Sequence, residues 1–272
     1  MDKLTTTETY LGLLILLSRS RQQALTVVEH RMLAKTQSWK QKFLSLAGRT
    51  TIIQSMLSAF PTYSISILLY PKCFSTKLNS LFSCFWWGDA ENSRDIISWI
   101  SWRYSCTLKS RGDLGFKDFE LVNLACLGKQ CWRLLHNSSS LWVRVLKGFY
   151  FPNSSFWEAR RDVLKQGVHM NIGDSTCTHI WFDPWIPQSP NLLAPQQLQH
   201  SLGRLKVVDL IDQSTLNWNH KLVFGFFSPH QALSILFVHV TPTGTPNVLV
   251  WHYARDGQYS LRSGMHPFFL YM

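Results

Sequence analysis

Few residues in this sequence have the types and spacing to do chemistry. Asp174, His179 and Asp183 sit close together, and such side chains hold the metal pair of a two-metal nuclease. Asp183 directly precedes Pro184, however, and Asp-Pro is an ordinary turn signal, so a structural turn is the favoured reading. Cys177 and His179 form a C-x-H pair, a poor chelate that needs two further ligands to complete a tetrahedral shell. Serines, histidines and aspartates occur, but in no nucleophile-elbow pattern. Six cysteines (73, 84, 106, 126, 131 and 177) lie far apart with no C-x-x-C pair. That spacing suits buried free thiols in a reducing compartment. The residues assign no catalytic and no metal site.

Charge is the clearer signal. The chain of 272 residues carries a formal charge of +11. Residues 1–150 hold 19 Lys and Arg against 9 Asp and Glu, and residues 151–272 hold 8 against 7. Between 18 and 88 the basic residues are Arg19, Arg21, Arg31, Lys35, Lys40, Lys42, Arg49, Lys72 and Lys77, and the single acid is Glu29. Such a stretch attracts a polyanion, most simply a nucleic-acid backbone. A solvated helix face accounts for the charge equally well. The aromatic load, 12 Trp and 17 Phe, leaves a second choice. The Trp-rich stretch 142–185 offers stacking surfaces for single-stranded bases or a packed core, and the core is the favoured reading.

These residues need elements to position them. The apolar run at 10–17 reads as a buried strand, too short to cross a bilayer. It follows a polar segment rather than a basic one, so no signal peptide is expected. Ala24, Val27, Val28 and Met32 recur at helical spacing, predicting an amphipathic helix over about 20–37. A second helix is predicted over 39–60, ending before Pro61, with Gly48 as a break; a third covers 75–87 and stops at Gly88. Asp118 is the expected N-cap of a fourth, and a short helix follows over 141–149. Beyond Pro152 the texture changes to Gly/Asp turns and Trp-bearing strands. Prolines 184, 187, 190 and 195 mark an extended linker, residues 205–239 read as helical, and 248–253 with 258–261 read as a hairpin turning at Asp256-Gly257. The fold class expected is mainly α, followed by a small, truncated α+β region.

Several motifs, taken in order, resemble the C-terminal half of the reverse transcriptase of plant LINE-type (non-LTR) retrotransposons. Tyr10-Leu11-Gly12-Leu13 is similar to the family's Y-L-G motif, and residues 39–63, WKQKFLSLAGRTTIIQSMLSAFPTY, to its most specific pattern. Phe85-Trp-Trp-Gly88, Gly112-Asp-Leu-Gly115 with Asp118, and Asn123-Leu-Ala-Cys-Leu-Gly-Lys129 with Trp132-Arg133 match further motifs. So do Ile172-Gly-Asp174, residues 180–185, and Leu249-Val-Trp-His-Tyr253 through Tyr259-Ser-Leu-Arg-Ser-Gly264.

The resemblance implies an organisation. Residues 1–17 would end the palm, with Tyr10, Leu11 and Gly12 in a primer-grip-like strand. Residues 18–88 would form thumb-like basic helices and 89–150 a helical connection. The Trp-rich β/loop segment and linker would span 151–200, and 201–272 would begin a zinc-binding-like module. Arg19, Arg21, Arg31, Lys35, Lys40, Lys42 and Arg49 would be phosphate contacts to an RNA/DNA primer–template duplex or template RNA, without sequence preference. The family's polymerase uses Mg²⁺ held by an [FY]-A-D-D turn that this sequence lacks, and its zinc ligands would lie beyond Gly264, where one His and no Cys follow. The expectation is therefore a non-catalytic fragment with no cofactor of its own. It would be intracellular, in nucleus or cytoplasm, not secreted and not membrane-bound. The alternative is a structural or interaction module, or an inert relic, docking onto a separately supplied palm or another protein partner.

Overall fold

The computed structural model describes residues 9–10, 13–14, 21–38, 44–57, 62–88, 98–106, 114–137, 139–150, 167–173, 175, 178–181, 183–186, 205–212, 214–215, 217–240 and 247–269. The chain is mainly helical with a small strand-bearing region toward its C-terminal end, as expected. It divides into two compact units, Met1–Leu127 and Gly128–Met272. The division falls inside a helix; the organisation that the resemblance implies has its boundaries at 17/18, 88/89, 150/151 and 200/201.

In the first unit the expected single strand at 10–17 is instead a pair of two-residue strands. β1 (Thr9–Tyr10) and β2 (Leu13–Leu14) run antiparallel, with Tyr10 opposite Leu13. An apolar run does not reveal this antiparallel pairing. Helix α1 (Arg21–Ser38) buries Ala24, Leu25, Val28, Met32 and Thr36 along one stripe, the spacing of an amphipathic helix. α2 (Leu46–Ile52) starts later than the apolar pattern suggests, because Ser45 caps it by accepting a hydrogen bond from the Gly48 N–H at 3.2 Å. Gly48 therefore lies in the first turn and is no break. A π-helical turn, Ile53–Leu57, continues the helix, and a short α3 (Thr62–Ile67) follows Pro61, where the sequence suggested only a stop.

α4 (Lys72–Trp87) buries Phe74, Leu78, Phe82, Phe85 and Trp86 and packs against α1, α2 and α5 (Trp102–Ser105). Near-parallel rings form a column through the core. Phe82 stacks on Phe119 at 4.9 Å and on Trp102 at 6.3 Å, and Trp102 stacks on Phe116 at 4.9 Å. Offset stacking of this kind adds to area burial, so the aromatic load of this half is spent mostly on its core. Helix α6 (Phe119–His136) begins where Asp118 accepts a hydrogen bond from the Glu120 N–H at 2.9 Å. Its Asn123 is 1% exposed. The side-chain oxygen accepts from the Tyr70 N–H at 2.8 Å, and the amide nitrogen donates to the Ile65 and Leu68 carbonyls at 2.6 and 2.7 Å. This one residue fixes the turn between α3 and α4. Beside it, burial pushes the Tyr70 phenol up to about 12. Cys106 and Cys126 are buried as expected, but Cys73 is exposed.

In the second unit α7 (Leu141–Tyr150) is followed by β3 (Val168–Asn171), which pairs antiparallel with β6 (Val248–Trp251), Val168 opposite Trp251. The hairpin expected around Asp256-Gly257 is thus corrected. The turn exists, with Gly257 at φ +67° and the Trp251 N–H donating to the Gly257 carbonyl at 2.8 Å, but residues 258–260 form no strand and α10 (Leu261–Phe269) follows. β6 takes β3 as its partner because Trp251 packs with Trp132 and Tyr259 beneath that pairing. The helical stretch expected over 205–239 is also interrupted. A 3₁₀ turn at Val207–Leu210 leads into β4 (Ile211–Asp212) paired with β5 (Asn217–Trp218) before α8 (His220–Phe226) and α9 (Pro229–Leu236). α9 starts with a capping box of Ser228 and Gln231. Trp181 sits in a turn and Trp185 outside any regular element, neither in a strand, and both are buried, with the Trp185 indole N–H donating to the Ile180 carbonyl at 2.9 Å.

Candidate nucleic-acid interface

The basic helices decide whether the sequence-predicted contacts share a face. Arg31 and Lys35 lie on α1 one turn apart, so their side chains leave the same side of the helix. Lys35 is exposed and Arg31 half-buried. Arg21 opens the same helix. Arg19, Lys40, Lys42, Leu11 and Gly12 lie outside the described residues, and Tyr10 belongs to β1.

Arg49 has a different setting. Its guanidinium donates through Nη1 to the Trp86 carbonyl at 3.2 Å, and the Trp86 indole N–H donates to the Thr50 hydroxyl at 3.0 Å. A cation on the carbonyl end of a helix is favoured by the helix dipole. Arg49 therefore ties α2 to the end of α4. Lys72 and Lys77 form surface ion pairs with Glu120 at 3.8 Å and Glu29 at 3.7 Å. Exposed pairs of this length contribute little stability, but each partner reduces the positive field there. Between α1 and α4 lies a groove of about 340 Å³ lined by Glu29, Leu33, Lys77, Leu78, Leu81 and Cys84. Its floor is apolar and the Glu29–Lys77 pair spans its rim.

The second unit resolves the choice posed by the Trp-rich stretch differently at its two ends. Trp181 and Trp185 are core, whereas Trp142 and Phe149 on α7 are exposed. Sequence periodicity on α7 shows an apolar stripe and would place it inward, so no pattern in the sequence signals that it faces out. Asp183 accepts a hydrogen bond from the His179 N–H at 2.7 Å, closing a turn. Asp174 and Cys177 lie outside the described residues. Asn247 closes a neighbouring loop, accepting from the Gly173 N–H at 2.6 Å and donating to the Thr178 hydroxyl at 2.7 Å. On the sheet, the rings of His169 and His252 lie 6.0 Å apart. Burial, reinforced by His252, holds His169 below the usual imidazole range.

Among the described residues no three His, Cys, Asp or Glu side chains come together to hold an ion. Nor, among them, is any helix long and apolar enough to cross a membrane.

The motif residues of the two ends of the second unit meet in one packing site. Tyr259 lies between Gly128 on α6 and Gly264 on α10. A Cβ at Gly128 would lie 3.0 Å from the Tyr259 ring carbon Cζ, and one at Gly264 would lie 2.9 Å from Cε1. Only glycine lets both helices approach this ring so closely.

The chain is 28% identical over 270 residues to the Arabidopsis thaliana protein named Putative ribonuclease H protein At1g65750, covering 92% of this chain and 43% of that protein. It is 36% identical over 144 residues to the Arabidopsis thaliana protein named Uncharacterized mitochondrial protein AtMg00310, covering 47% of this chain and 93% of that protein. The chain thus spans less than half the length of the first. No protein-family model matches the chain, and no solved structure does.

Proposed function

The chain belongs to the same family as the Arabidopsis thaliana protein AtMg00310, and from that premise we propose that it is the nucleic-acid-gripping part of a LINE-type reverse-transcriptase polyprotein. The reading gives it binding rather than chemistry: α1 tracks the backbone of an RNA/DNA primer–template duplex without reading its sequence. The observation that carries it is α1 itself. One stripe of the helix is buried, while Arg31 and Lys35 emerge together one turn apart within a stretch where nine basic residues face one acid. The ordered motifs shared with reverse transcriptases, and the name of the longer relative, support the same assignment.

The test is a salt titration of primer–template binding for the whole chain, the Arg31→Gln/Lys35→Gln variant and Arg49→Gln. Each phosphate contact contributes about 0.9 to the slope of log K against log salt, so the double variant should lower the slope by about 2. Arg49→Gln should leave it unchanged, because that side chain serves the end of α4. An unaltered slope in the double variant would refute the α1 interface.

The groove between α1 and α4, floored by Leu33, Leu78 and Leu81, favours a second reading, a module that docks onto a separate palm domain. Apolar docking is nearly insensitive to salt, so the same titration separates the two.

A further inference from the structure

We infer that His169 and His252 form a two-imidazole site for a divalent transition ion such as Zn²⁺, and that the bound ion clasps β3 to β6. The pairing of the two strands puts both rings on one face. Val168 lies opposite Trp251 and His169 opposite Val250, and the His252 N–H extends the ladder by donating to the Gly167 carbonyl at 2.7 Å. Opposed residues share a face and side chains alternate along a strand, so His169, Val250 and His252 stand together. Val168 and Trp251 take the other face, in the core with Trp132 and Tyr259. That packing fixes the register, and the register makes the two histidines diagonal neighbours.

The geometry suits one ion between the rings. Their centres lie 6.0 Å apart with the planes at 69°. With each nitrogen about 2.1 Å from a shared ion, ring centres stand about 5 Å apart at a tetrahedral angle and about 6.4 Å apart when opposed. The observed separation falls between these limits. His252 is exposed and His169 half-buried, so an ion reaches the pair from solvent. The side chain of Asn171, two residues along β3, hydrogen-bonds the His169 ring. Such a bond holds a ligating imidazole in one orientation and leaves its other nitrogen to the ion. The donor type selects the ion: imidazole suits Zn²⁺, Cu²⁺ and Ni²⁺, whereas Mg²⁺ and Ca²⁺ take oxygen ligands. The pair stands without a third His, Cys, Asp or Glu among the described residues. Two protein ligands leave the other positions to water, so the ion is an exchangeable clasp rather than a closed structural centre. None of this depends on the nucleic-acid reading of α1.

The experiment titrates the full chain with zinc chloride by calorimetry and follows thermal unfolding with and without that salt, with magnesium chloride as the control. An ion that binds only the folded chain raises its unfolding temperature, so Zn²⁺ should raise it and Mg²⁺ should not. His169→Gln and His252→Gln should each weaken Zn²⁺ binding by more than about tenfold, since losing a ligand costs more than losing the partner that orients it. The double variant should lose little more than either single one, because one imidazole cannot chelate. Asn171→Ala should weaken binding about tenfold with both histidines in place. Because His252 is exposed, its replacement leaves the core intact, as circular dichroism checks, and that variant decides the matter if His169→Gln fails to fold. Zinc binding unchanged in His252→Gln would overturn the proposal, as would a parent that binds no zinc. Losses that simply add in the double variant would overturn it too, by assigning two separate imidazoles. No arm of the experiment contains nucleic acid, so this assignment and the α1 interface fail separately.

Discussion

Replacing Asn123 by alanine removes three hydrogen bonds at once from a site that water does not reach. The Tyr70 N–H and the Ile65 and Leu68 carbonyls lose the partners that they now hold at 2.8, 2.6 and 2.7 Å. A buried backbone group left unsatisfied costs about 1–3 kcal/mol. Partial relaxation of the α3–α4 turn recovers some of this, so the expected loss is about 3–5 kcal/mol. That is a large share of a typical domain's margin of about 5–15 kcal/mol. Asn123→Asp sharpens the argument. Its carboxylate still accepts from Tyr70, but its other oxygen faces two carbonyl oxygens. Repulsion and burial then raise the Asp pKa above its unfolded value of about 3.9. With the folded pKa raised, the contribution to stability is present below the unfolded pKa and lost as pH rises through the folded one. The assay is urea unfolding followed by far-UV circular dichroism at several pH values. The reasoning fails if the alanine variant loses less than about 1 kcal/mol, or if the aspartate variant is no more stable at acid pH than at neutral pH relative to the parent.

Two further outcomes are expected. Gly128→Ala drives a methyl group into Tyr259, which a strained core accommodates at a cost of about 1–3 kcal/mol. Tyr259→Phe removes the atom that the methyl meets first, so the double variant should be more stable than the two single losses added together. A double-mutant cycle by urea unfolding reads this, and strict additivity would exclude the contact. His169 has its folded pKa depressed by burial, with His252 adding to it, so its contribution is present above the unfolded value of about 6.5 and lost as pH falls below it. His169→Gln should flatten the loss of stability on acidification from neutral pH; an unchanged pH profile by thermal unfolding would contradict the assignment.

What the sequence determined was local. The apolar spacing of Ala24, Val28 and Met32 specified α1, Asp118 specified the start of α6, and the pattern of Phe74, Leu78, Phe82 and Phe85 specified α4, because helix periodicity and caps are encoded within a few residues. The basic character of the first half was equally plain, since charge needs no fold to be counted. Motif order was readable too, but not its purpose. Asn123, Gly128, Tyr259 and Gly264 stand out as a pattern, yet their work is done on partners up to 131 residues away.

Only the tertiary structure decided the rest. β6 pairs with β3 rather than with the segment after its own turn, because burying Trp251 over Trp132 and Tyr259 outweighs a local hairpin. Arg49 is held at the end of α4 while Lys35 faces solvent, although both read as equivalent cations in the sequence. The stripe on α7 points outward while similar stripes on α1 and α4 point inward. Periodicity fixes that a helix has an apolar side; which way that side turns depends on what the rest of the chain brings against it.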